Sequence, residues 1–252
     1  MDGAYYALSG GYDKLNSETD YAAWADFLEK CFEKYGQNIT TVLDMACGTG
    51  PMTFELHSRG YDMTALDISE DMLDVAYETA AENEITDILW LCQDMTEFEL
   101  YGTVGAIVCC LDGINHLTEK EDVEKVFALV KNYLEYDGVF VFDVNTIHKF
   151  ENFYNGHDYI LEDEGVMCCW QNDYDPETGI CDFYLTVYSE NDDGLWERED
   201  AVQSEKAYSL EFLKSAIEKA GLEYCGAFAG YDFSLPDDTT DRIYIVAKKN
   251  RE

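Results

Sequence analysis

The run Val42-Leu43-Asp44-Met45-Ala46-Cys47-Gly48-Thr49-Gly50 ends an apolar stretch in an aspartate and a Gly-x-Gly turn. Glycine in such a turn leaves out the Cβ that would block a tight bend or the approach of a ligand to the backbone. Further on, the apolar run Tyr61 to Leu66 ends at Asp67, and Ile88 to Cys92 ends in Gln93-Asp94-Met95. A carboxylate at a strand tip after a glycine loop is placed to accept hydrogen bonds from ribose hydroxyls. One such aspartate is ordinary turn or cap chemistry. Three of them, each at the carboxyl end of a successive apolar run, describe a ligand site at the edge of an open α/β sheet.

A second group of chemistry-bearing residues follows the next apolar run, Val104 to Cys110: Leu111, Asp112, Asn115 and His116. The pKa of an unperturbed histidine lies near neutrality, so His116 is the candidate general base. Structural hydrogen bonding near a helix start is the competing account of that residue. Asp112 and Asn115 stand at the lip where a substrate enters. His148 and His157 have weaker claims, no Gly-x-Ser-x-Gly elbow is present, and the four histidines form no metal-ligand cluster in sequence.

The elements that carry these residues alternate. Tyr21, Trp24, Leu28, Cys31 and Tyr35 share one face of a helix over residues 20–35, capped by Asp20. A helix from Pro51 stops near Gly60, with proline at its first turn and glycine past its last. Ser69 caps a helix whose first turn carries Glu70 and Asp71 and whose apolar face includes Met72, Leu73, Ala76 and Ala80. Thr118 and Glu121 have capping-box spacing ahead of another helix. The fourth strand is Val104 to Cys110 and the fifth Gly138 to Val144; near-continuous apolar runs of this kind belong to parallel strands covered on both faces.

The rhythm changes after the fifth strand. Residues 157–207 hold strand-like runs separated by Asp175-Pro176-Glu177-Thr178-Gly179 and Asn191-Asp192-Asp193-Gly194, both turn chemistry. This reads as an antiparallel meander of about three strands inserted into a parallel core. Its position after the fifth strand puts it at the carboxyl edge of the sheet, on the side of the glycine loop. Its aromatics include Trp170 and Tyr184, taken as candidate substrate contacts. The core resumes with a helix capped by Ser209, then two strands, about Glu223 to Ala229 and Arg242 to Ala247.

The stretch Val42 to Gly50, with Asp67 and Asp94-Met95, resembles the class I S-adenosylmethionine-dependent methyltransferases. Tyr12-Asp13-x-Leu15 followed by Tyr21-x-x-Trp24 is similar to a bacterial branch of small methyltransferases whose substrates are mostly unassigned. Ala46 stands where many members carry glycine. The resemblance implies an α/β, Rossmann-like, seven-stranded and mostly parallel sheet with a carboxy-terminal antiparallel hairpin, interrupted by the β meander. It implies one domain over residues 1–252, with a helical cap at 1–36, core at 37–147 and 208–252, and insertion at 148–207.

It also implies roles for particular residues. Gly48 and Gly50 let the loop approach S-adenosylmethionine, while Ala46, Cys47 and Thr49 line the turn. Asp44 lies near the methionine moiety, Asp67 binds ribose, and Ile68 packs on adenine. Asp94 accepts from the adenine amino group, Met95 covers the ring, and Met72 and Gln93 complete the set. Cys110 and Leu111 border the transferring methyl, and Tyr12 closes over the cofactor. The implied activity is methyl transfer to O or N of a small-molecule acceptor by in-line displacement, with no metal. Two other readings compete: a nicotinamide-dependent oxidoreductase, disfavoured because Pro51-Met52-Thr53 lacks the third glycine of Gly-x-Gly-x-x-Gly, and a non-catalytic cofactor-binding module.

Composition narrows the partners. The formal charge is −37, from 53 acids and 16 basic residues spread along the chain. Such a field repels phosphate backbones, so nucleic acid is not expected as a partner. No apolar run is long enough to suggest a membrane span. Nine cysteines without a Cys-x-x-Cys pair, most inside apolar runs, read as reduced core residues and point to the cytoplasm. Oligomeric state is not legible.

Overall fold

In the computed structural model, residues 19–163, 165–191 and 193–251 are described. The predicted contact at Tyr12 lies outside them. The first helix, α1 (Tyr21–Tyr35), begins where expected: the Asp20 carboxylate accepts from the Ala23 N–H at 2.9 Å. Five strands and three helices follow: β1 (Thr41–Met45), α2 (Pro51–Ser58), β2 (Asp62–Asp67), α3 (Glu70–Glu82), β3 (Leu89–Cys92), β4 (Val104–Cys109), α4 (Lys120–Tyr133) and β5 (Leu134–Asn145). Ser69 caps α3 through the Met72 N–H. The capping box expected at Thr118 and Glu121 does not form. Helix α4 starts at Lys120, and its cap position is Glu119, which makes no side-chain cap bond.

The main sheet has the order β10-β11-β5-β4-β1-β2-β3, where β10 (Glu223–Phe228) and β11 (Arg242–Lys248) form the antiparallel hairpin. Strands β1 to β5 pair in parallel, and β11 runs antiparallel to β5. The order reverses between β1 and β4, so their carboxyl ends open a crevice there. Alternate strand residues feed two cores. Leu43, Ile107, Phe140 and Phe142 pack with α4 and α5 (Leu210–Lys219) on one face. Val42, Ala106, Val108 and Val141 pack with α1, α2 and α3 on the other.

Between β5 and α5 lies a second, antiparallel sheet of four strands where about three were expected: β6 (Tyr159–Asp163), β7 (Val166–Asp175), β8 (Ile180–Glu190) and β9 (Trp196–Lys206). The extra break falls just before β7, where Gly165 takes a φ of +76°. The other two turns form as their residues dictate: Asp175 accepts from the Glu177 N–H, and Gly179 and Gly194 take positive φ. The inner face of this sheet packs Val166, Cys168, Leu185 and Val187 onto Met72, in the first turn of α3. A helical turn (Ile147–Lys149) and a wider one (Phe150–Tyr154) link it to β5. The insertion therefore sits over the carboxyl edge of the main sheet. No helix among the described residues is long and apolar enough to cross a membrane.

Candidate active site

Strands β1, β2 and β4 end at one cavity of about 1380 Å³, walled on its far side by the inserted sheet. Asp44, Ala46, Cys47, Gly48, Asp67, Ile68, Met72, Gln93, Asp94, Met95, Cys110, Leu111, Asp112 and His116 all line it. The strand-end acids are thus gathered as their spacing implied, because parallel strands deliver their carboxyl ends to the same edge.

The backbone around the cavity is unusual. Ala46 (φ +58°), Leu111 (φ +57°) and Asp112 (φ +54°) all occupy the left-handed region. That conformation disfavours a Cβ, by about 1–2 kcal/mol per residue, and concentrates at functional sites. Ala46 thus carries the strain that glycine would avoid. Gly48 (φ +57°) has open space where a Cβ would stand, so its backbone faces the cavity unshielded. Gly50 serves differently from expectation. It does not line the cavity; it is the N-cap of α2 at φ +84°, and a Cβ there would meet the Trp90 ring at 2.8 Å. Thr49, almost fully buried, also stands behind the wall.

Each acid is held in place. Asp67 accepts from the Gly48 N–H at 2.8 Å and the Ser69 N–H at 2.9 Å. Burial raises its carboxyl above the ordinary value, and those two N–H groups pull it back. Asp44 accepts from the Thr53 hydroxyl at 2.6 Å; burial pushes its carboxyl up to about 7, against that hydrogen bond and with help from the Asp67 charge. Asp94 accepts from the Thr96 N–H and hydroxyl through one oxygen. Gln93 closes its own loop through the Glu99 backbone.

The far end of the cavity contains residues that sequence reasoning did not single out. Arg242, at the start of β11, donates to Asp112 at 2.6 Å and to Asp143 of β5. Burial raises the Asp112 carboxyl, but the Arg242 and Lys149 charges and the Arg242 hydrogen bond outweigh it and hold it low. Burial pushes Asp143 up to about 6 despite Arg242, and its Oδ1 has no hydrogen-bond partner. Lys149 donates to Asn145 Oδ1 at 2.9 Å and lies over the Tyr154 ring. Burial lowers the His116 pKa, against the pull of Asp112 and Asp67. Its Nε2 lies 3.9 Å from Oε1 of Glu205, which β9 brings in from the inserted sheet. Asp112, His116 and Glu205 present ligand atoms all within 4.8 Å of one another, a grouping invisible in sequence. A signal was available for part of this. Asp143 interrupts the apolar run Val139 to Val144, and a carboxylate inside a buried strand needs a cationic or hydrogen-bonding partner.

Two expected substrate contacts are placed elsewhere. Asn115 is fully buried and outside the cavity wall; its side chain donates to the Lys206 carbonyl at 2.8 Å and accepts from the Asn145 N–H, tying the inserted sheet to the core. Tyr184 is 44% exposed on the outer face of the inserted sheet, whereas its neighbours Phe183 and Leu185 line the cavity. Successive strand residues point to opposite faces, so the residues that face the cavity are one position away. Trp170 does line the cavity, packed edge-on against Phe183.

Residues 42–138 match the family described as a methyltransferase domain. A protein of Geobacillus sp. (strain WCH70), provisionally named a methyltransferase, is 30% identical over 97% of this chain and 99% of its own. The crystal structure of an S-adenosylmethionine-dependent methyltransferase from Clostridium acetobutylicum superposes with a TM-score of 0.87, at 27% identity over 97% of this chain and 98% of that one. The glycine/sarcosine N-methyltransferase of Aphanothece halophytica is 23% identical over 94% of this chain and 85% of its own.

Proposed function

Because the chain belongs to the S-adenosylmethionine-dependent methyltransferases, we propose that it methylates a nitrogen of a small polar acceptor bound between His116 and the inserted sheet. Membership removes the nicotinamide-dependent alternative. The observation that carries the proposal is the single cavity, which runs from Asp44, Asp67 and Asp94 to Asp112, His116 and Glu205. At about 1380 Å³ it exceeds the roughly 300–1,000 Å³ of an ordinary ligand site. A cofactor and an acceptor fit side by side, which speaks against a module whose acceptor pocket has closed. The choice of nitrogen follows relatives such as the glycine/sarcosine N-methyltransferase.

The residues present fit S-adenosylmethionine. The unshielded backbone at Gly48 offers close approach. Asp67 accepts two N–H bonds and, having two oxygens with about four lone-pair sites, retains capacity for ribose hydroxyls. Asp44, buried with a raised carboxyl, is a natural partner for an amino-acid ammonium. When bound, the cofactor supplies an activated methyl whose leaving group is a neutral thioether. The protein's work is to orient the acceptor in line with that methyl and to keep water out, an effect worth roughly 7–11 kcal/mol in well-oriented cases. Cys110 and Leu111 form the wall beside the reacting centre, and Trp170, Phe183 and Leu185 close the mouth. His116, whose pKa burial lowers, takes the acceptor proton.

The test is a turnover screen of small amines and alcohols with S-adenosylmethionine, following S-adenosylhomocysteine release and identifying products by mass. N-methylated products are expected; turnover confined to oxygen would reject the assignment.

A further inference from the structure

We propose that Asp112, His116 and Glu205 form a seat for the protonated amine of the methyl acceptor, with Glu205 as the residue that selects a cation. This rests on the nitrogen-methylation reading and deepens it. Glu205 is only 6% exposed, and its carboxylate is held by long contacts. Its hydrogen bond from Asn145 Nδ2 is long, at 3.5 Å, and the His116 ring at 3.9 Å is beyond hydrogen-bonding distance. Arg242 pairs with Asp112 and Asp143, and Lys149 donates to Asn145; both favour the Glu205 carboxylate through their charge, but no hydrogen bond from either to it is seen. A buried carboxylate in this condition is costly without a further positive or donor partner. Burial and the Asp112 charge accordingly push its carboxyl well above the ordinary range.

Spacing bears on the kind of cation. A metal bound at about 2.1 Å holds neighbouring ligand atoms about 3.0–3.4 Å apart. An ammonium nitrogen donating three bonds of about 2.9 Å holds its acceptors about 4.7 Å apart. Here the His116–Glu205 separation is 3.9 Å, and all three ligand atoms fall within 4.8 Å. The His116–Glu205 separation falls between the two spans, so the choice of an ammonium over a metal rests on the nitrogen-methylation reading, and manganese is the competing occupant in the test. A hydroxyl offers one donor where an ammonium offers three. The titratable groups facing the seat are the carboxyls of Asp112, Asp143, Asp67 and Glu205 and the cations of Lys149 and Arg242. Tyr154 and Cys181, both raised by burial, add no charge.

The chemistry balances. The ammonium N–H bond breaks and its proton goes to the His116 ring, leaving a neutral amine. The nitrogen lone pair then forms the N–C bond as the C–S bond breaks with its electron pair passing to sulfur. The products are a methylated ammonium, S-adenosylhomocysteine and protonated His116. Asp112 and Glu205 hold the nitrogen while the proton leaves.

The experiment uses full-length protein, labelled with ¹⁵N-histidine and saturated with S-adenosylhomocysteine. Ethylammonium chloride, ethanol or manganese chloride is titrated in, and the His116 signals are followed by NMR. Ethylammonium is expected to shift them saturably and ethanol not at all. Glu205→Gln is expected to weaken the amine about 10-fold, the loss of one charge-assisted bond. Glu205→Asp, which keeps the charge, is expected to fall between the two and serves if the Gln variant fails to fold. Equal responses to ethanol and ethylammonium would overturn the proposal. So would undiminished amine binding in Glu205→Gln, or saturation by micromolar manganese. The underlying reading fails separately, by oxygen-only turnover in the screen while ethylammonium still saturates.

Discussion

Replacing Asp44 with Asn tests whether this aspartate is an electrostatic cost held for a ligand. The side chain is 1% exposed, and burial raises its carboxyl from 3.8 to about 7. A carboxyl raised by folding contributes stability below its unfolded value and loses it as pH rises through the folded value. The affected window therefore runs from about pH 4 to about pH 7. At about 1.4 kcal/mol per pH unit, the accumulated loss is about 2 kcal/mol by pH 5.5 and about 4 kcal/mol by pH 8. Asn does not titrate and retains an oxygen for the Thr53 hydroxyl. The stability of Asp44→Asn relative to wild type should therefore rise by about 2 kcal/mol between pH 5.5 and pH 8. Urea unfolding of both proteins at the two pH values measures this double difference, in which the self-repulsion of a chain carrying −37 cancels. A gap that changes by less than about 0.5 kcal/mol would refute the reasoning. If an ammonium compensates Asp44, S-adenosylhomocysteine binding near pH 6.5 should release a proton in the wild type and none from this site in the variant. Calorimetry in two buffers of different ionisation heat reads that difference.

Other outcomes follow from the same geometry. Asp67→Ala should weaken S-adenosylhomocysteine on the order of 10- to 100-fold by calorimetry, provided a melting curve shows a folded variant. Ala46→Gly should raise stability by about 1 kcal/mol, read from urea midpoints, since glycine takes a φ of +58° without a Cβ penalty. Arg242→Met should cost about 3–5 kcal/mol because it leaves Asp112 and Asp143 buried and unpaired; a loss below about 1 kcal/mol would mean that one carboxyl is already neutral. Trp170→Leu should alter acceptor turnover and Tyr184→Leu should not, since only the first faces the cavity.

Local chemistry was readable from the chain alone. The strand tips at Asp44, Asp67 and Asp94, the glycine turn and the caps at Asp20, Ser69 and Ser209 depend on neighbours a few residues away, so their types and spacing suffice. The parallel order follows too, because apolar runs alternating with helices have few ways to pack. Tertiary structure decided the far end of the cavity. Period-two alternation shows that Phe183 and Leu185 share a face and that Tyr184 opposes them, but only the packing of Val166, Cys168 and Leu185 on Met72 shows which face is inward. Glu205 and Arg242 reach Asp112 and His116 from strands remote in sequence, and Asn115 is drawn away from the cavity by the carbonyl of Lys206. Those meetings are set by sheet register and long-range burial, which no local pattern of residues records.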